Sequence, residues 1–322
     1  VIEATIETAV LFDLSNSSRF VMSGKDRKDL LHRLSTNDIL ALKPGRATAT
    51  LLLERNGRLI DRLLVVDRGD DLLLLGNPGR GDIVRDWIEK FTILEDSKVR
   101  DASTETSAHL LVGPRSAGVL DAAFAGAAST LQRYESVVVD AGTPHETTIV
   151  RVEDHESPAY LLIGPRNAAV LERIGPIAHA TTEMLAKLRV KAGLPTWGSE
   201  LDERTLPLEA RLVDAISFTK GCYVGQEIIA RVHHRDRLKR LLCRFEIEGE
   251  VEPAPHSDIL DGEKKIGWIT SSASGLNGCY ALGYVETGFD APGTNVIVAG
   301  GGRHRDAKVL TLNPEGDPRW PT

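Results

Sequence analysis

The chain has 322 residues, 42% apolar and 26% charged, with a formal net charge of −7. It is long enough for two or three compact domains, too apolar for a disordered chain, and too acidic to bind nucleic acid over its whole surface, although a local basic patch stays open. No stretch nears the roughly 18–20 apolar residues of a membrane helix, no basic start and apolar run mark a signal peptide, and three scattered cysteines without a CxxC pair point to reduced thiols, no metal or cluster held by this chain alone, and a cytoplasmic setting without a membrane partner.

One pattern occurs four times along the first half. Residues 20–34 read FVMSGKDRKDLLHRL, residues 72–88 LLLLGNPGRGDIVRDWI, residues 109–124 HLLVGPRSAGVLDAAF, and residues 160–175 YLLIGPRNAAVLERIG. Each is a short apolar strand, a Gly, a turn and an amphipathic helix. The Gly ends the strand where a tight or left-handed turn falls. Pro114 and Pro165 are expected in the first turn of the following helix. Between the copies, Thr48–Leu53 and Leu59–Val66 flank Asn56-Gly57, a hairpin pair. Val137–Val139 and Glu146–Glu153 also read as strands. The order predicts an α+β fold with two ferredoxin-like (split βαβ) lobes. The first spans about 1–102 and the second 103–180, its domain running on to 237.

A helix is expected over 182–192, then a long ordered loop over 193–207. From 238 to 322, short runs at 239–247, 264–271, 280–286, 294–299 and 307–312 alternate with turn formers, which predicts a small β-barrel or sandwich. Gly300–Gly302 reads as a hairpin turn within it.

Residues 216–232, ISFTKGCYVGQEIIARV, form a Gly-punctuated turn that feeds a helix. Gly225 is expected at the helix start, with Gln226 and Glu227 in its first turn. Cys222 precedes the helix and follows Lys220 by two residues, a setting that lowers a thiol pKa. Two readings stay open: a reactive or redox-responsive thiol, and a small buried residue in a tight loop.

The stretch Lys220, Gly221, Cys222, Tyr223, Val224, Gly225, Gln226, Glu227 matches the K-G-C-Y-x-G-Q-E signature, and in it the chain resembles the YgfZ family of folate-binding proteins, relatives of the glycine-cleavage T protein. The resemblance runs over essentially the whole chain. LFDLSNSSRFVMSG, LSTNDILALKPG, LLERNGRLIDRLLV (52–65) and KLRVKAGLP (187–195) are similar to T-protein segments. It implies three lobes around a central cavity for tetrahydrofolate or a derivative, ending in a small β-barrel. It further implies a role in iron–sulfur cluster assembly or repair and in tRNA modification, with iron–sulfur client or assembly proteins as partners.

The departures from the T protein bear on chemistry. That family carries two adjacent carboxylates after NGR, the second catalytic. Here Asp61 fills the first place and Arg62 the second, and a guanidinium does not accept a proton. The Thr-Gly-Glu segment that helps hold the pterin is absent, leaving Glu156 in VEDHESPAY as its candidate replacement. Arg-x-Glu-Ala-Gly becomes Arg189-Val190-Lys191-Ala192-Gly193. Trp197 and Trp268 are candidates for stacking on a pterin or for core packing. Arg231, Arg235, Arg237, Lys239, Arg240 and Arg244 form a basic strip, read either as a site for a folate glutamate tail or RNA, or as a solvated helix end. His233 and His234 point about 100° apart on a helix and are not read as metal ligands. Three functions are open: a YgfZ-type folate-binding factor centred on Cys222, a folate-dependent aminomethyltransferase, and a tRNA or protein docking module without chemistry.

Overall fold

A computed structural model describes residues 8–152, 157–166, 169–235, 238–275 and 278–312, the side chains of His234 and Arg235 excepted. The chain forms two compact units. One comprises the chain up to Leu53 with Ile60–Thr182 and Asp214–Val224; the other comprises Glu54–Leu59, Glu183–Val213 and the chain from Gly225 onward.

The first unit holds both lobes. The first sheet contains β2 (Ser18–Ser23), β3 (Arg46–Leu53), β4 (Leu59–Asp67), β5 (Leu72–Gly76) and β6 (Lys98–Asp101), in the order β3-β4-β5-β2-β6. Helices α1 (Arg27–Leu34) and α2 (Gly81–Lys90) join its strands. Setting β3 aside as an added edge strand, this is the split βαβ order. The second sheet repeats it with β7 (Thr106–Val112), β8 (Ser136–Val139), β9 (Thr147–Arg151), β10 (Ala159–Pro165) and β11 (Ala178–His179), and with helices α3 (Ser116–Ala123) and α4 (Ala169–Ile174).

One strand departs from the lobe boundary read in the sequence. β1 (Val10–Asp13) lies in the second sheet, between β7 and β11, giving the order β11-β1-β7-β10-β9-β8. It pairs antiparallel with β7, Val10 opposite Val112, and parallel with β11.

Side-chain alternation along the strands stacks the layers. On β5, Leu72 and Leu74 pack with Leu30 and Leu31 of α1 and with Val84 and Ile88 of α2. Leu73 points the other way, into a core shared with Ala108, Leu161 and Ile163 of the second sheet. Tyr160 and Leu162 on β10 then face Leu120 of α3. The unit is therefore a helix–sheet–sheet–helix stack. Each fully buried Leu contributes about 1.5–3 kcal/mol.

Two of the four repeat glycines, Gly24 and Gly113, have the expected positive φ after their strands, whereas Gly76 ends β5 without it and Gly164 lies inside β10. Gly24 has φ +97°, and a Cβ there would lie 2.2 Å from the Asp96 carbonyl oxygen. The prolines are placed differently from expectation. Pro165 ends β10, and Pro114 precedes Arg115, the N-cap of α3. Both serve the strand-to-helix turn rather than the helix.

In the second unit, α5 (Thr182–Ala192) and α6 (Gln226–Arg235) accompany a closed six-stranded barrel. Its strands are β12 (Arg240–Ile247), β13 (Asp258–Asp261), β14 (Lys264–Ser274), β15 (Cys279–Glu286), β16 (Asn295–Gly300) and β17 (Arg303–Leu310). Phe245, Ile259, Ile269, Val285, Val298 and Val309 are among the side chains that fill it. Gly301 and Gly302 turn the β16–β17 hairpin.

Candidate functional site

Asp61 lies in β4 with its side chain fully buried. One carboxylate oxygen accepts from Asn77 Nδ2 at 2.6 Å and from the Arg62 backbone N–H at 2.9 Å; the other accepts from the Asn77 N–H at 3.2 Å. Burial nevertheless dominates and raises its pKa to about 6. Gly76 is needed beside it, because a Cβ there would lie 2.7 Å from the carboxylate. Asp61 is thus tied to the end of β5 and the first residue after it.

Arg62, the next residue, is a quarter exposed and faces Asp214 Oδ2 at 3.5 Å. Asp214 sits in the short 3₁₀ turn Val213–Ala215 and is more exposed still. Its backbone oxygen accepts from Asn37 Nδ2 at 3.2 Å. Asp214 and Asn37 were not among the residues singled out in the sequence. Asp214 precedes the KGCYVGQE stretch by six residues, but only the fold shows that it meets β4.

Residues 214–224 are laced onto the loop that follows α1. Thr36 Oγ1 donates to the Ala215 oxygen at 2.6 Å, the Ser217 N–H donates to the Thr36 oxygen at 2.9 Å, and the Val224 N–H donates to the Arg33 oxygen at 3.3 Å. The Lys220 ammonium donates to the backbone oxygens of Ser35 at 2.7 Å, Asn37 at 2.9 Å and His32. Burial lowers its pKa to about 8. Tyr223 is buried, and desolvation raises its phenol to about 12. Val224 packs on the α1–α2 core.

Gly221 and Cys222 project into solvent. Exposure removes the reading of Cys222 as a small buried residue; Cys243 and Cys279 are the buried thiols. Gly225, with φ +85°, opens α6, and Gln226 and Glu227 begin it.

The remaining candidates are dispersed in the second unit. Arg189 on α5 donates to Glu200 at 2.8 Å, the Ser271 hydroxyl at 2.7 Å and the Leu194 oxygen at 3.3 Å. Glu200 is buried and also accepts from Thr270 Oγ1 and the Thr196 N–H. Arg189 thus joins α5 to the barrel. Trp197 is half-buried and its backbone bridges to Leu201. Arg240 pairs with Glu209 at 2.9 Å and lies 5.0 Å from the ring centroids of Trp268 and Tyr284. Arg231 pairs with Glu227 at 2.6 Å, one helical turn away. Lys239 is exposed. The Arg235 side chain, Arg237 and Glu156 lie outside the described residues. The basic strip therefore contains two guanidiniums already committed to carboxylates.

Two family models match the chain: the GCVT N-terminal domain over residues 2–153 and the glycine cleavage T-protein C-terminal barrel domain over residues 240–314. The chain belongs to the glycine-cleavage T-protein-like superfamily. An aminomethyltransferase of Streptomyces coelicolor is 27% identical over 324 residues, covering 94% of this chain and 86% of that one. An aminomethyltransferase of Rubrobacter xylanophilus is 29% identical, covering 89% and 80%. A chloroplastic protein of Arabidopsis thaliana is also 29% identical, covering 90% and 68%. The crystal structure of glycine cleavage system aminomethyltransferase T from Bartonella henselae superposes with a TM-score of 0.87 at 21% identity, covering all of this chain and 90% of that one. The T-protein-like fold therefore spans the whole chain.

Proposed function

We propose that this aminomethyltransferase-like protein binds tetrahydrofolate or a derivative and uses it outside the transfer step of glycine cleavage. The observation that carries the reading is Arg62, set 3.5 Å from Asp214 where the T-protein pattern has its catalytic carboxylate. A guanidinium stays protonated at any working pH and does not take up a proton from the amine of a one-carbon carrier. Asp61 does not replace that carboxylate, because Asn77 and the Arg62 N–H already occupy both its oxygens.

The groups present suit a folate. Arg62 offers a cation and Asp214 a carboxylate, a pair able to meet the donor–acceptor edge of a pterin or the carboxylates of a glutamate tail, while the Asn37 amide is used to hold Asp214 in place. A bound folate supplies the nitrogen atoms that carry one-carbon units. Glu156 remains a candidate for a further contact in this unit, and Arg189 and Trp197 are candidates for ligand contacts within the second unit. In the same reading Cys222 is the working group of a YgfZ-type factor in the cytoplasm. It serves iron–sulfur client or assembly proteins and, through them, tRNA modification.

Calorimetric titration with reduced tetrahydrofolate under anaerobic conditions tests the proposal, with Cys222→Ala beside the wild type. Binding by both supports a folate site with Cys222 acting after binding. Binding lost only in the variant makes Cys222 part of the site. Binding by neither overturns the proposal.

A second reading, aminomethyl transfer to tetrahydrofolate, is favoured by the names of the curated relatives at 27–29% identity. In this chain the proton-accepting duty would fall to Asp214, the partly exposed carboxylate beside Arg62. Folate-dependent ammonia release from an aminomethyl donor, abolished by Asp214→Asn, would establish it.

A further inference from the structure

The Lys220 ammonium sits in a cage of three backbone oxygens, those of His32, Ser35 and Asn37. These belong to the last turn of α1 and the loop after it, where carbonyls lack helical partners and the helix dipole is negative. Among the described residues no carboxylate lies within ion-pair distance of Lys220; the Asp38 carboxylate acts on it from farther off, and the Tyr223 ring centroid lies 5.2 Å from the ammonium. A buried ammonium with no carboxylate in direct contact is costly, and burial opposes its protonation more than Asp38 supports it. The two residues that follow it, Gly221 and Cys222, are exposed. On their far side Tyr223 is buried and the Val224 N–H is bonded to Arg33. The exposed pair is therefore pinned at both ends to the same helix terminus.

We infer that Lys220 is a positioning residue: its ammonium fastens the Gly221–Cys222 turn to the C-terminal end of α1 and so fixes where the Cys222 thiol is presented. This rests on the reading of Cys222 as the working group of the motif. An anchor of this kind needs directed donors rather than bulk. Lysine supplies three N–H groups that converge on three oxygens, whereas a hydrophobic residue of the same length supplies none.

The two buried cysteines make Cys222 the single exposed thiol, so a nitroxide spin label attached under native conditions reports on this turn. The expected result is a restricted label in the wild type, a freely rotating label in Lys220→Met, and a restricted label again in Lys220→Arg. Amide exchange at Val224 and Ser217 should accelerate about tenfold or more in Lys220→Met and return toward wild type in Lys220→Arg. Equal label mobility and exchange in wild type and Lys220→Met would overturn the inference. Where Lys220→Met does not fold, reductive methylation of the wild type decides: Lys220 should resist while exposed Lys25 and Lys239 react, and equal labelling would overturn the anchor. Complementation of an iron–sulfur defect separates this inference from the function on which it rests. If Cys222→Ala complements fully, the proposed role of the thiol fails, while the label and exchange still judge the anchor.

Discussion

The guanidinium of Arg62 lies 3.5 Å from the carboxylate of Asp214, so a charge pair links β4 to the head of the segment that carries Cys222. Both partners are partly exposed, so the pair contributes little to stability, about 1 kcal/mol or less. Arg62→Ala should therefore leave the denaturation midpoint almost unchanged. It should weaken reduced-folate binding by about tenfold or more, the worth of one charge-assisted contact. Calorimetry on the variant checks this, and an unchanged affinity would remove Arg62 from the site.

Asp61 predicts a pH dependence of the opposite sign to that of a salt-bridged acid. Its folded pKa is raised, from 3.8 to about 6. Between these values the folded state holds a proton that the unfolded state has released. The stabilising contribution is thus fully present below pH 4 and is lost as pH rises through 6, by up to about 3 kcal/mol. Urea unfolding at pH 4 to 7 should show this slope in the wild type and a flatter one in Asp61→Asn. A slope that survives the substitution would assign it to another group.

Arg189 is predicted to act on stability first. Removing it leaves Glu200 buried without its cation, a change that costs about 3–5 kcal/mol. Equilibrium denaturation of Arg189→Ala should show that loss. Wild-type stability together with lost folate binding would instead assign Arg189 to the ligand.

Thiol titration gives a rapid test of the exposed turn. Cys222 should react alone in the native protein, with Cys243 and Cys279 following only on unfolding. Two or three fast thiols would contradict the packing of the barrel, since both buried cysteines belong to its core.

What could be read from the chain divides along the line between local and distant signals. The repeat strands and their terminal glycines, the helix over 182–192 and the barrel strands all announce themselves through periodicity and turn residues within a few positions. β1 does not, because its place between β7 and β11 depends on partners about 100 and 170 residues away. The motif around Cys222 was visible as a pattern, yet the oxygens that hold Lys220 lie more than 180 residues earlier. Arg189 was visible as a member of a family segment, while Glu200, which decides its environment, sits in a loop with no periodicity. Arg62 was legible as a substitution, but its partner Asp214 was not.

The position of β1 also sets an order on how the protein can be made. Val10–Phe12 leaves the ribosome with the first lobe but belongs to a sheet whose partner strand, Thr106–Val112, is synthesised about 100 residues later. At roughly 5–20 residues per second that is an interval of about 5–20 s. Throughout it an apolar strand waits with both hydrogen-bonding edges open, a template for pairing with a neighbouring chain. A strand that sits inside the finished sheet is thus unpaired while the fold is being assembled, and a copy of the second lobe expressed without it would begin life with a gap beside β7.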